Sequence, residues 1–330
     1  MRDFKKESCM QLPTPVSYLA NLSKKLGIEL YLKRDDLTEY GTGGNKLRKL
    51  EYFLYDAKEK GATTLITVGG AQTNHGRLTA ALAAKYQMKC AIVCMDDYPG
   101  QLTANMLLDR IFGAEIILHK PDGTDIMDVV QSVIERYESA GETCYFIPMG
   151  GSNVIGALGY YECAQELKQT FSSGHVVSTL GSMGTYMGLF CGLHGSDLKL
   201  TGIQIMPYEE DIFDFAKNYF DEIKEAWELD FDITKDAFHI ETDYLYGGYN
   251  LPSKTVRKAI YTMGQNEGIV LDPCYTGKAF AGLLEMIEKG QIAKGETVIF
   301  IHTGGLPGIY TPSHRQAFEN ELLGGVTLLP

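Results

Sequence analysis

Short apolar runs rich in β-branched residues alternate with longer stretches of helical periodicity, and four of the seven runs end in glycine. TTLITVGG (63–70), AIVCM (91–95), AEIILH (114–119) and CYFIPMGG (144–151) read as strands. Between them, NHGRLTAALAAKYQ (74–87) puts Leu78, Ala81 and Leu82 at helical spacing. QLTANMLLDRIFG (101–113) and GTDIMDVVQSVIERYESAG (123–141) read as further helices. Strands joined through helices of this length form βαβ units and a parallel sheet. The pattern restarts with HVVSTLGSMG (175–184), LTGIQIM (200–206) and TVIFIHTGG (297–305), with helical stretches VRKAIYTMGQNEG and KAFAGLLEMIEKG between the last two. The expectation is an α/β protein of two open, mostly parallel sheets, with a helix over 153–170 crossing between them. No repeat, low-complexity tract or loose linker separates the two units.

Composition narrows the function. The 330 residues carry 30 Lys+Arg against 42 Asp+Glu, a net charge of -12 that repels phosphate backbones, so nucleic acid is not an expected partner. Much of the acidity lies in Tyr208 to Asp243, which reads as a solvated helical face or as a partner surface. No apolar run reaches the ~20 residues that cross a bilayer, and MRDFKKESCMQL lacks a signal core. Seven scattered cysteines form neither a disulfide framework nor a Cys-x-x-Cys pair, and the seven histidines show no zinc spacing. These features predict a cytoplasmic protein with no transition metal.

Five glycine clusters close strands or precede helices: GTGGNK (41–46), GGAQTNHG (69–76), MGGSN (149–153), LGSMGT (180–185) and HTGG (302–305). Ligands of open α/β sheets bind beyond the carboxyl ends of strands, so five such turns point to one shared cleft. LGSMGT passes from a strand into a helix. Gly181 and Gly184 admit close backbone approach, Ser182 and Thr185 add hydroxyls, and the helix start favours an anion. It lacks both the Walker ending and the dinucleotide fingerprint, so a monophosphate suits it; on residues alone a plain tight turn is equally open. In GGNKLRKLEYF, Asn45 is a candidate helix cap and Lys46 falls in the first turn, where the helix dipole disfavours a cation. That placement, with burial, lowers an amine's pKa, as an imine-forming lysine requires; an exposed lysine in a poor position is the other reading.

Taken together, GGNKLRKLEY, GGAQTNHGR, LGSMGT, LDPCYTGKAFAGL and HTGG, with YLKRDDLT (31–38), resemble the fold-type-II pyridoxal-phosphate (PLP) enzymes of the D-cysteine desulfhydrase / 1-aminocyclopropane-1-carboxylate (ACC) deaminase group. The motifs stand in the family's order from LPTPVSYL (12–19) to HTGG. The resemblance implies a tryptophan synthase β-like fold, with a large PLP-binding domain (1–50 plus 164–330), a small domain (51–163) and the cofactor between them. It implies that Lys46 is the Schiff-base lysine, that Lys49 adds a cation to the phosphate, and that Gly181, Ser182, Met183, Gly184 and Thr185 form the phosphate loop, with Met183 where relatives more often have a small residue. Asn74 matches the hydrogen-bond donor to the cofactor's phenolic oxygen. Thr73, Asn74 and His75 match the turn that receives the substrate carboxylate, with Thr73 where many relatives have Ser. Tyr275 matches the tyrosine beside the cofactor ring, Tyr249 a second active-site tyrosine, and Thr303 a neutral partner for the pyridine nitrogen.

Two positions separate the subgroups. ACC deaminases resemble YEGK where this chain has Tyr275-Thr276-Gly277-Lys278, and have Leu at the position of Thr303. Both positions here resemble D-cysteine desulfhydrase, and Thr276 joins Tyr249 and the 73–75 turn as an expected substrate contact. The resemblance implies α-proton removal by Lys46, with Thr73 or a tyrosine as the alternative, and loss of sulfide assisted by Tyr275. Elimination from L-cysteate, β-chloroalanine or a diamino acid, ACC deamination, and a non-catalytic PLP-binding sensor are the other readings. The family also implies a homodimer and a small amino-acid substrate. His302 reads as a core histidine, and Trp227 as a packing residue or partner contact.

Overall fold

The computed structural model describes residues 4–327, which hold two open sheets. β1 (Val16–Tyr18) and β2 (Glu29–Arg34) are antiparallel neighbours joined by α1 (Ala20–Leu26). The chain leaves through α2 (Lys46–Glu59) and builds a parallel sheet from β3 (Thr64–Gly69), β4 (Lys89–Cys94), β5 (Glu115–Leu118) and β6 (Cys144–Ile147). Helices α3 (Asn74–Lys85), α4 (Ala104–Ile111) and α5 (Ile126–Ser139) link these strands. α6 (Val154–Thr170) returns the chain to β7 (Ser173–Leu180), α7 (Gly184–Leu193), β8 (Asp197–Gln204), α8 (Ile212–Trp227) and β9 (Ile240–Glu241). α9 (Lys254–Glu267), α10 (Thr276–Glu288), β10 (Thr297–His302) and α11 (Pro312–Leu322) complete it.

The larger sheet has the order β1-β2-β10-β7-β8-β9 and the smaller β5-β4-β3-β6; β1 alone runs antiparallel to its neighbour. The continuous apolar run of β10 is explained by burial on both faces. Val298 and Phe300 face α1, α9 and α10, while Ile299 and Ile301 face the core made by α6, α7 and α8. β4 splits in the same way, with Cys90, Ile92 and Cys94 on one face and Ala91 and Val93 on the α5 face.

Strand order places the ligand cleft. In the smaller sheet, β4 and β5 extend to one side of β3, and β6 returns to the other. In the larger, β8 and β9 extend from β7, and β10 returns beside β2. Each sheet therefore has a switch point, one between β3 and β6 and the other between β7 and β10, where a crevice opens beyond the strand ends. Both crevices open into one cavity, lined by Gly69, Gly70, Met149 and Gly150 from the first and by Gly181, Ser182, Thr303 and Gly304 from the second.

The crossing helix begins where expected, with Asn153 accepting hydrogen bonds from the backbone N–H groups of Ile155 and Gly156. The expected division at 163/164 falls inside this continuous helix, which packs on both α2 and α7. The acidic stretch contains α8, whose inner face buries Ile212, Ala216, Tyr219, Phe220, Ile223 and Trp227. Trp227 is a packing residue whose indole N–H donates to Val154 O at 2.9 Å. His302 is a buried, hydrogen-bonded core histidine. Among the described residues, no helix is long and apolar enough to cross a membrane.

Candidate active site

Lys46 opens α2 at the mouth of the cavity. The preceding loop doubles back on the β10 end: Gly44 bridges Gly304, and the Asn45 N–H donates to Thr303 O at 3.1 Å. Gly43, at φ +72, has no room for a side chain, because a Cβ there would lie 2.1 Å from Asp36 O. Asn45 does not cap the helix with its side chain. Its backbone is already helical, and its amide donates instead to Thr185 Oγ1 at 3.0 Å, tying the lysine loop to the 181–185 turn.

α2 is anchored by a buried ionic cluster that accounts for YLKRDDLT. Arg48 Nε and Nη2 donate to the Asp35 carboxylate at 2.9 and 3.0 Å, while Nη1 and Nη2 reach Glu166 at 2.8 and 2.9 Å. Lys33 donates to Glu166 at 2.5 Å and to Thr14 O at 2.7 Å; Thr14 and Tyr160 hydroxyls donate to Asp35. Burial opposes ionisation of Asp35, but the Arg48 charge and these bonds outweigh it and hold the carboxyl below its ordinary range.

The 181–185 turn forms a cup. Met183 adopts φ +65, a conformation that side chains rarely take, and its N–H-following neighbour Gly184 donates to Ser182 O at 2.8 Å. Ser182 shares a hydrogen bond of 2.7 Å with Ser152, a residue that carried no predicted role. Lys49 lies behind the cup, fully buried: its Nζ donates to Gly150 O and Ser152 Oγ at 3.2 Å each. A Cβ on Gly184 would stand 2.8 Å from that amine, and one on Gly150 2.4 Å from Ser182 Oγ. No carboxylate lies within 4 Å of Lys46 or Lys49 among the described residues. Burial lowers Lys46 to about 8; burial and the charge of Lys46 push Lys49 well below the usual lysine range.

α3 presents its N-terminus to the same cavity. Thr73 caps it, accepting from Gly76 N at 3.2 Å. The backbone N–H groups of Asn74 and His75 are left without partners among the described residues, the arrangement that receives an anion. Both ring nitrogens of buried His75 also lack partners, and burial together with Lys46 and Lys49 keeps the ring neutral. Asn74 Oδ1 accepts from Arg77 Nη1 at 2.6 Å and from Asn105 Nδ2 at 3.0 Å, which turns its Nδ2 toward the cavity. Arg77 and Asn105 were not singled out from sequence; only the i, i+3 spacing of Asn74 and Arg77 within NHGR hinted at the contact.

Across the cavity, the hydroxyls of Tyr249 and Tyr275 share a short hydrogen bond. Burial keeps Tyr275 protonated, far above the ordinary phenol range. Thr303 lines the cavity. Thr276 does not, which corrects its assignment as a substrate contact. It is fully buried as the first residue of α10, and its hydroxyl donates to Asp272 Oδ1 at 2.7 Å while accepting from Asp272 N at 2.9 Å.

These residues fit a cofactor that carries an aldehyde and a phosphate. Among the described residues, two buried amines and an unpartnered imidazole surround a cavity with no acidic residue in its lining, and glycines keep the cup clear. The sequence matches the family model "Pyridoxal-phosphate dependent enzyme" over residues 10–304, so the chain belongs to that family. Within it, the chain belongs with the ACC deaminase and D-cysteine desulfhydrase relatives. It is 38% identical to a putative ACC deaminase of Pyrococcus abyssi over 90% of each chain. It is likewise 38% identical to D-cysteine desulfhydrase of Salmonella choleraesuis, over 90% of this chain and 93% of that one. A crystal structure of an ACC deaminase homologue superposes with TM-score 0.85 at 34% identity, covering 98% of this chain and 97% of that one. The fold is shared more widely, as with threonine deaminase isoform 2 of Solanum lycopersicum (TM-score 0.62, 17% identity, 95% and 84% covered).

Proposed function

We propose that the protein eliminates hydrogen sulfide from D-cysteine, which with one water gives pyruvate and ammonia. The observation that carries this reading is that Thr303 offers only a neutral hydroxyl to a cavity whose lining, among the described residues, holds no carboxylate; Asp96, Asp97 and Asp272 line the adjoining cleft beyond Thr73 and Tyr275. When bound, pyridoxal phosphate supplies the electron sink for the substrate α-carbon. Without an acidic partner that sink is moderate, which suffices when a good β-leaving group departs and is weak for opening the ACC ring.

Lys46, Lys49, Ser182 and the 181–185 amides would hold the cofactor, and Asn74 would donate to its ring oxygen. The substrate carboxylate meets the free N–H groups of Asn74 and His75 beside the Thr73 cap. Lys46, with an amine pKa lowered to about 8, takes the α-proton. The C–S bond breaks, sulfur leaves with the electron pair, and Tyr275 supplies its proton, replenished through Tyr249. The three-carbon remainder hydrolyses to pyruvate and ammonia. We also propose a homodimer, as the family resemblance suggests, and a reducing cytoplasmic setting, which the seven free thiols suit.

The test is 2-oxo-acid release from D-cysteine, L-cysteine, L-cysteate, 2,3-diaminopropionate and ACC, with Lys46→Ala as the blank. Pyruvate and sulfide in equal amounts from D-cysteine are expected. Turnover of ACC with D-cysteine inert would overturn the reading. Tyr275→Phe should lower kcat for D-cysteine by about 10²–10⁴, the usual contribution of a positioned acid.

A further inference from the structure

Arg77 is a buried cation with no anionic partner within ion-pair distance among the described residues. It is fully buried, and its guanidinium donates only to neutral oxygens: Asn74 Oδ1 at 2.6 Å, Asn105 Oδ1 at 2.7 Å and Gly43 O at 2.9 Å. Its Nε has no partner among the described residues. No carboxylate lies within 4 Å of it among the described residues. A buried guanidinium is ordinarily paired, as Arg48 is here with Asp35 and Glu166, because an isolated charge in a dry interior is costly.

The position of this charge gives it a use. Arg77 stands directly behind Asn74, whose amide oxygen it holds together with Asn105 Nδ2. With both donors on the oxygen, the amide cannot flip, and its NH2 group faces the cavity. The guanidinium also polarises that amide, so the NH2 is a stronger donor to an anion than a free asparagine would be. Other charged or titratable groups face the same place: Lys46 and Lys49 from α2, His75 from α3, Asp109 from α4, Asp272 ahead of α10, and the Tyr249–Tyr275 pair. Asp109 and Asp272 act on Arg77 from a distance and offset part of its charge.

We propose that Arg77 is a positioning residue that acts through Asn74 to keep the ring oxygen of bound pyridoxal phosphate ionised at neutral pH. This rests on the cofactor-binding reading and not on the choice of substrate. The spectrum of the holoenzyme without substrate reads it directly, because the bound cofactor absorbs at longer wavelength with its ring oxygen ionised than with it neutral. Arg77→Met should shift the ratio of the two bands toward the neutral form by about tenfold, the effect of removing a unit charge several ångströms away in a dry site. Arg77→Lys, which keeps the charge and loses the fork, should stay close to wild type. Equal shifts in both variants, or none in either while cofactor is bound, would overturn the proposal. If Arg77→Met does not fold, Arg77→Gln decides: it keeps a donor beside Asn74 and removes the charge, so its ratio should move as predicted for Arg77→Met. A wild-type ratio in Arg77→Gln would refute the proposal. A wild-type protein with no cofactor band would instead refute the cofactor reading.

Discussion

Replacing Asp35 with Ala tests how α2, and hence Lys46, is held. The substitution removes a carboxylate that accepts four hydrogen bonds, from Thr14, Tyr160 and two nitrogens of Arg48. Breaking a buried ion pair costs about 3–5 kcal/mol, since the remaining charge is stranded. Glu166 still reaches Arg48 with two bonds, so the low end applies, about 3 kcal/mol. A domain stable by about 5–15 kcal/mol survives that loss. Urea unfolding should show a midpoint lowered by about 1 M or more at unchanged m. The pH dependence is set by sign. The Asp35 carboxyl is depressed in the folded state, so its contribution is fully present above the unfolded value of about 3.9 and is lost as pH falls through the lower folded value. The gap between variant and wild type should therefore be constant from about pH 5 to 7 and narrow in stronger acid. A gap under about 1 kcal/mol at neutral pH would show that the Arg48–Glu166 pair and apolar contacts hold α2 unaided.

The amine of Lys46 attacks the cofactor aldehyde only when neutral. The rate of reconstituting the apoprotein with pyridoxal phosphate, followed by absorbance, should therefore rise with pH and level off above about 8; a rise continuing toward 10.5 contradicts the burial argument. Lys49→Met should stabilise the apoprotein in thermal melts, because a desolvated amine is lost, while cofactor affinity falls about tenfold or more with the lost cation; unchanged affinity would remove Lys49 from the phosphate site. Thr276→Val should cost about 1–3 kcal/mol in unfolding experiments by stranding Asp272 partners, yet leave the cofactor spectrum unaltered; a spectral change would return Thr276 to the cavity.

The parallel strands and their glycine-closed ends were legible because both signals are local: an apolar run buried on both faces, and a turn that needs room or positive φ. β2 was legible only as a motif, since ELYLKR carries Lys33, which alternation assigns to solvent and the fold buries against Glu166. β1 and β9, of three and two residues, are too short to show a period. The site divides in the same way. Lys46, Asn74 and the 181–185 turn stand out because their chemistry is tied to a strand end or a helix start. Arg77, Asn105 and Ser152 do not, because Arg77 meets Asn105 28 residues away and Ser152 meets Ser182 30 away. Thr276 misled because adjacency to Tyr275 says nothing of where a helix's first side chain turns; Asp272, four residues back, takes it. What separates structural from functional cations is likewise visible only in three dimensions. Lys33 and Arg48 are buried and satisfied by carboxylates of the fold, whereas Lys46 lines the cavity, and Lys49 and Arg77 stand behind its wall, with no carboxylate within 4 Å among the described residues. Burial without a carboxylate is not enough by itself, since Lys278 is buried against the carbonyls of Ile205 and Gly248; what marks Lys46 and Lys49 is that they meet beside the 181–185 cup, where a phosphate from outside would supply the missing charge.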